Sequence, residues 1–175
     1  MSESPEEPPA SSASESLTRA GALRAEGRHE EARVLLVALC RDHPRDARVA
    51  ARTAWVHDAL GLETEAVPYY ERALAAGAEG LSAEDRRGCL LGLGSTYRVL
   101  GRHLDATRLL TDAVAEFPED NALKTFLAMA LHHTGRPGEA TAMLLALLAE
   151  TSSDPAIRDY RRALAYYAEH LDETG

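Results

Sequence analysis

The 175-residue chain carries 28 acidic and 19 basic residues, a formal net charge of −9, and 45% apolar residues, a balance that fits one domain of stacked helices. No run of 18 apolar residues is present, so no membrane span is expected, and the basic excess with stacking aromatics that a nucleic-acid partner requires is missing. Cys40 and Cys89 have no neighbouring cysteine and read as small hydrophobes in a reducing cytoplasm.

Residues 1–16, MSESPEEPPASSASES, are rich in Ser, Pro and Glu with no apolar face, which predicts a disordered acidic tail rather than a signal peptide. A first repeat at about 17–44 follows, with a short first helix and a buried stripe of Leu23, Ala32, Leu35, Leu36 and Leu39. The second, at about 46–80, carries Trp55, Val56, Leu60, Val67, Tyr70, Ala73 and Leu74. Its Pro68 lies near the limit of where a helix tolerates proline.

The segment Gly77–Arg87 then holds surplus residues, and Ser82 with Asp85 three places on is a capping-box signature. A lengthened first helix in the third repeat, at about 83–118, is expected rather than a long loop. The fourth repeat covers about 119–152. Beyond it, Asp154 and Pro155 read as an N-cap and N1 proline, opening one amphipathic helix over 155–171 marked by Ile157, Tyr160, Leu164, Tyr167 and Leu171. That helix reads as the cap on the apolar end of a stack.

The repeats are legible as a period. Gly27, Gly61, Gly101 and Gly135 recur, each followed five residues later by Ala32, Ala66, Ala106 or Ala140. Leu36, Tyr70, Leu110 and Leu144 come four places after each alanine, and Pro44 and Pro118 close the first and third copies. Between landmarks the apolar residues fall at helical spacing in two runs, as in Leu90, Leu93, Tyr97, Leu100 and then Leu104, Leu109, Leu110, Val114. Each copy is therefore a helix pair, turned by a glycine that adopts the left-handed conformation cheaply and packed closely at the small alanine.

This pattern resembles the tetratricopeptide repeat, best in the third copy through Leu93, Gly94, Tyr97, Ala106, Leu110, Ala113 and Pro118, and in the fourth through Leu127, Ala128, Leu131, Ala140 and Leu144. The first two copies depart where Arg19 and Thr53 stand at usually apolar places. Residues 88–173 also resemble a family of small, mostly uncharacterised bacterial proteins built from such repeats. The resemblance implies an all-α, right-handed solenoid of about four repeats with a capping helix, forming a single domain over 17–173. It further implies protein binding, with no catalytic residues to carry over. Of the 19 basic residues only Lys124 is a lysine, a composition that points to a GC-rich bacterial genome.

Catalytic chemistry finds no foothold. His132 and His133 are adjacent and point about 100° apart on a helix, no HExxH, CxxC or phosphate-loop pattern is present, and Gly92, Gly94 and Gly101 do not form GxGxxG. Neither an enzyme, a metal nor a cofactor is expected. In resembling proteins the first helices line a concave groove. Projected here, that geometry places Arg24, Arg48, Ala51, Trp55, Asp58, Leu91, Ser95, Arg98, Met129 and His132 along it. Arginine with tryptophan suits a peptide segment bearing an acidic group. The alternative for each residue is ordinary packing or a solvated charge.

The Lys and Asn set with which some chaperone adaptors of this fold grip a terminal carboxylate is not matched, because Leu17, Gly21, Ala51, Trp55, Leu91 and Ser95 stand there. A second functional possibility is a homodimer or larger self-assembly through weakly matching first repeats or the last helix. A third is that the acidic tail lies in its own groove.

Overall fold

A computed structural model describes residues 10–173, and the part of the expected acidic tail before Ala10 lies outside the described residues. The helices are α1 (Ala10–Ala25), α2 (His29–Asp42), α3 (Ala47–Ala59), α4 (Glu63–Ala75), a short α5 (Gly77–Gly80), α6 (Ala83–Val99), α7 (His103–Glu116), α8 (Asn121–His133), α9 (Pro137–Thr151), α10 (Pro155–Asp159) and α11 (Arg161–Glu169). There is no strand among the described residues. The chain forms two compact units, Met1–Thr96 and Tyr97–Gly175, whose boundary falls inside α6.

One turn is built four times. Gly27, Gly61, Gly101 and Gly135 all have positive φ, between 70° and 77°. The next residue's amide reaches back to close the helix: Arg28 to the Leu23 carbonyl at 2.9 Å, Leu62 to His57 at 3.0 Å, Arg102 to Tyr97 at 2.8 Å, Arg136 to Leu131 at 3.0 Å. This is the Schellman arrangement, which satisfies carbonyls that a helix end would otherwise orphan. Second helices leave the turn with no side-chain N-cap. In three of them the arginine after the glycine pairs three residues ahead, as Arg28–Glu31, Arg102–Asp105 and Arg136–Glu139.

The first helices α3, α6 and α8 start differently, on a side-chain cap. Asp46 accepts from the Arg48 and Val49 amides, Ser82 from Asp85, and Asp120 from Leu123. The Ser82–Asp85 signature is thus met on its serine side. α6 is lengthened to 17 residues against 13 for α3 and α8, and α5 takes up the rest of the surplus.

In the first unit, Ala20, Leu23, Ala32, Leu36 and Val56 form one buried cluster, and Ala13, Leu39, Cys40 and Val49 another. Thr53, at a usually apolar place, is fully buried because its hydroxyl donates to the Val49 carbonyl at 2.7 Å and lies 3.1 Å from the Cys40 sulfur. In the second unit, Leu110, Ala113, Leu123, Leu127, Ala128 and Leu131 are buried, with Ala140 and Leu147 from α9. The four repeat alanines, Ala32, Ala66, Ala106 and Ala140, are at most 5% exposed, as a close helix contact requires.

Two sequence expectations are corrected. The first helix is not short: it begins at Ala10 and runs 16 residues, because Ala13 continues the Leu17, Ala20, Leu23 stripe by helical spacing and is 2% exposed. The terminal helix is not continuous. It breaks at Tyr160, which leaves the α range at φ −98°, ψ 8°, beside an Asp154-capped turn. After the break Arg161 donates to the Ala149 and Glu150 carbonyls at 2.7 and 3.0 Å, capping the end of α9. Tyr160 and Tyr167, expected on the buried stripe, are 68% and 53% exposed, and Leu144 is 43% exposed.

Candidate peptide-binding face

Trp55 is the centre of the candidate face, and three helices of the first unit place it. It projects from α3, half-buried, with the Arg52 guanidinium 4.5 Å and the Arg24 guanidinium of α1 6.0 Å from its ring. Its indole has room because α6 presents Gly88 to it, where a Cβ would sit 3.0 Å from Trp55 Cζ2. Arg52 is held from the other side by Asp85 at 3.2 Å. Arginine stacked on indole keeps its hydrogen-bonding edge free while its charge sits over the ring face.

Arg24 has no such counter-ion among the described residues. Its Nε is buried with no hydrogen-bond partner, and burial, then the nearby Arg52 charge, lower its pKa. A desolvated N–H without a partner costs about 1–3 kcal/mol.

Asp58 belongs to the packing beneath. Its carboxylate accepts from the Tyr70 hydroxyl at 2.5 Å and from Thr96 at 3.0 Å, and Tyr70 lies so close over Gly92 of α6 that a Cβ there would meet its hydroxyl. Burial pushes the Asp58 carboxyl above its ordinary value, against the pull of those two hydroxyls. Leu91 and Ser95 are half-buried on α6, on the stripe that Gly88 begins. Arg48 is exposed and turned to Asp46 at 2.8 Å, at the cap of α3.

In the second unit, Arg98 is half-buried with its Nε unpartnered, Met129 is half-buried, and His132 is exposed. His132 meets the edge of His133 at 5.6 Å, and His133 stacks on His103 at 4.5 Å. The described residues hold no group of three or more His, Cys, Asp or Glu that could take a metal.

Arg24, Asp58, Arg98 and His132 share one register position: each carbonyl accepts from the amide of its turn glycine, at 3.0 to 3.3 Å. Sequence reasoning missed Arg52, Gly88 and the Tyr70–Asp58–Thr96 set. Arg52 was findable as the neighbour one helical turn before Trp55; the contacts across helices left no signal in a single sequence.

A family model described as tetratrico peptide repeat matches residues 47–171. Among solved structures the chain is similar to Pseudomonas aeruginosa PilF, with a TM-score of 0.65 and 19% identity over 90% of this chain and 69% of that one. It is also similar to a putative kinesin light chain from Podospora anserina with nearly identical repeats, with a TM-score of 0.64 and 23% identity over 90% of each chain. No curated protein matches it. With the helix pairs, the glycine turns and a match over most of its length, the chain belongs to the tetratricopeptide repeat family.

Proposed function

We propose that this chain is a non-catalytic protein-interaction module that takes a peptide segment carrying an acidic group against the Trp55 face. Tetratricopeptide repeats generally mediate protein–protein interaction. The observation that carries the finer reading is Arg24, buried at its Nε without a partner and poised beside Arg52 and an indole. A carboxylate there would meet the part-exposed Arg24 side chain, while Trp55 supplies the aromatic anchor typical of binding hot spots, worth about 2 kcal/mol or more. Leu91 and Ser95 extend the face, and Arg98, Met129 and His132 offer a second set of contacts in the other unit. Buried free thiols at Cys40 and Cys89 fit work in a reducing bacterial cytoplasm.

Capture from a lysate with wild type and a Trp55→Ala, Arg24→Glu variant, each checked for helicity and mass, tests the proposal. A client held by the wild type and lost by the folded variant supports it; equal capture by both contradicts it. A structural homo-oligomer is favoured by one observation, the exposure of Tyr160, Tyr166 and Tyr167 at 68%, 51% and 53%. That reading requires a mass of two or more chains, falling when Tyr166 and Tyr167 are changed to serine.

A further inference from the structure

We infer that the first unit holds a second, separate site: a pocket between α2, α3 and α4 that binds a small organic acid carrying a hydroxyl group, Arg72 taking the acid and His57 the hydroxyl. Trp55 and His57 are two places apart on α3 and point about 200° apart. The site therefore goes beyond the peptide reading and does not rest on it.

The sequence marks the place as an exception to the repeat. His57 stands four residues before its turn glycine, where the other copies carry Leu23, Tyr97 and Leu131. Those three are 7%, 7% and 3% exposed, and His57 is as deeply buried at 3%. Its Nδ1–H donates to the Thr53 carbonyl at 2.7 Å, which leaves Nε2 as the acceptor of the neutral ring. Nε2 has no hydrogen-bond partner among the described residues, and it is not sealed from solvent: His57 lines a surface pocket of about 480 Å³. An imidazole where the fold elsewhere packs an apolar side chain, with one nitrogen open to a pocket, gives up core packing for a polar contact.

The lining supplies what such a contact needs. Half-buried Arg72 has no carboxylate partner among the described residues; its guanidinium lies 5.1 Å from the Tyr69 ring and donates to the Cys40 sulfur at 3.4 Å. The His57 ring stacks on the same Tyr69 at 5.0 Å, so cation and acceptor lie against one aromatic ring. Arg33 adds a second positive charge, paired with Glu30 at 2.9 Å. Among the described residues exposed Glu65 is the one acid of the lining, and Val37 and Pro68 give it an apolar wall. A carboxylate suits the guanidinium, which offers paired donors to two oxygens. Nε2 of the neutral ring presents a lone pair, which repels a bare carboxylate and accepts from a hydroxyl. Val37, Pro68 and Tyr69 take the apolar body, in a pocket of ordinary ligand size with few polar groups.

The experiment titrates the chain with mandelate and 4-hydroxyphenylacetate, which set the hydroxyl beside the carboxylate or across the ring. Phenylacetate and benzyl alcohol, which each lack one group, are the controls. Backbone amide NMR shifts of Val37, Tyr69 and Arg72 report occupancy. At least one hydroxy acid should saturate with a Kd of about 1 mM or below, about tenfold tighter than phenylacetate. Arg72→Met should weaken that binding by about tenfold or more. His57→Leu, which installs the side chain that the first and fourth copies carry, should keep the melting temperature and erase the preference for the hydroxy acid over phenylacetate. The wild-type comparison of the four compounds stands without either variant. No saturation by either hydroxy acid, equal affinity for phenylacetate, or binding that Arg72→Met and His57→Leu leave unchanged overturns the inference, and each of these results leaves the Trp55 reading as it was.

Discussion

Asp46 and Asp58 stand at opposite ends of α3, and their surroundings push their carboxyls in opposite directions. Asp46 is the N-cap: its bond from Arg48, offset in part by burial and aided by the Val49 amide, lowers its pKa below the ordinary 3.8, and the helix N-terminus favours a negative charge. A lowered folded-state value makes its contribution present above the ordinary carboxylate range and lost as pH falls through the lowered value. Asp46→Ala should therefore cost about 0.5–2 kcal/mol at neutral pH and less in strong acid, measured by urea unfolding. Asp58 has the opposite sign. Burial raises it, so its contribution is greatest below the ordinary range and shrinks as pH rises through the raised value. Asp58→Asn should flatten the melting temperature against pH over that interval, whereas Tyr70→Phe, which removes a buried donor, should lower stability by about 1 kcal/mol at neutral pH. Asp46 was readable only as a charge beside a new repeat, while the Asp58–Tyr70–Thr96 contacts join three helices and required the fold. The thiols follow the same logic: burial pushes Cys89 up to about 12 and raises Cys40, so neither should react with a thiol reagent at pH 8 before the chain unfolds.

At the scale of the element, one substitution should act with opposite signs according to backbone. Gly101 has φ +74°, a conformation that a side chain strains even with nothing near its Cβ position, so Gly101→Ala should destabilise by about 1–2 kcal/mol. Gly21 lies within α1, exposed and with nothing near its Cβ position, so Gly21→Ala should stabilise by about 0.5–1 kcal/mol. Thermal melts of the two variants decide this directly. Ala106 is fully buried, and Ala106→Leu should overpack its helix contact at a cost of about 1–3 kcal/mol. These turns and contacts were legible because they repeat: a glycine and an alanine five residues on, four times, mark a conformation and a packing point that only small residues serve. The start of α1 was not, since alanines and serines after a proline-rich run carry little apolar pattern, and Ala13 is fixed only by its contact with α2 and α3. The break at Tyr160 was equally hidden. A stripe of aromatic and aliphatic residues at helical spacing argued for one helix, but the terminal carbonyls of α9 draw in Arg161, and loss of those bonds in Arg161→Ala should loosen α11 and cost about 1 kcal/mol.

At the scale of the molecule, the fold class was legible and the working surface only in part. Four helix pairs could be counted from the landmarks, and among the described residues no helix is long and apolar enough to cross a membrane. The projected groove residues divide on inspection: Arg24 and Trp55 come together with Arg52, Asp58 is engaged in packing, Arg48 in its cap, and Arg98, Met129 and His132 fall in the second unit. Register alone predicts which face a residue occupies, not whether its hydrogen bonds are met: Arg24 and Arg98 both keep a buried Nε without a partner, and Arg24 lies beside Trp55. The most direct measurement of the central claim is an array of acidic, neutral and basic peptides probed with the wild-type chain and with Arg24→Glu, at low and high salt. Selective retention of acidic peptides, weakened by salt and lost or shifted toward basic peptides in the variant, is the predicted result. Retention with no preference for acidic peptides, or a preference that Arg24→Glu leaves untouched, would contradict it.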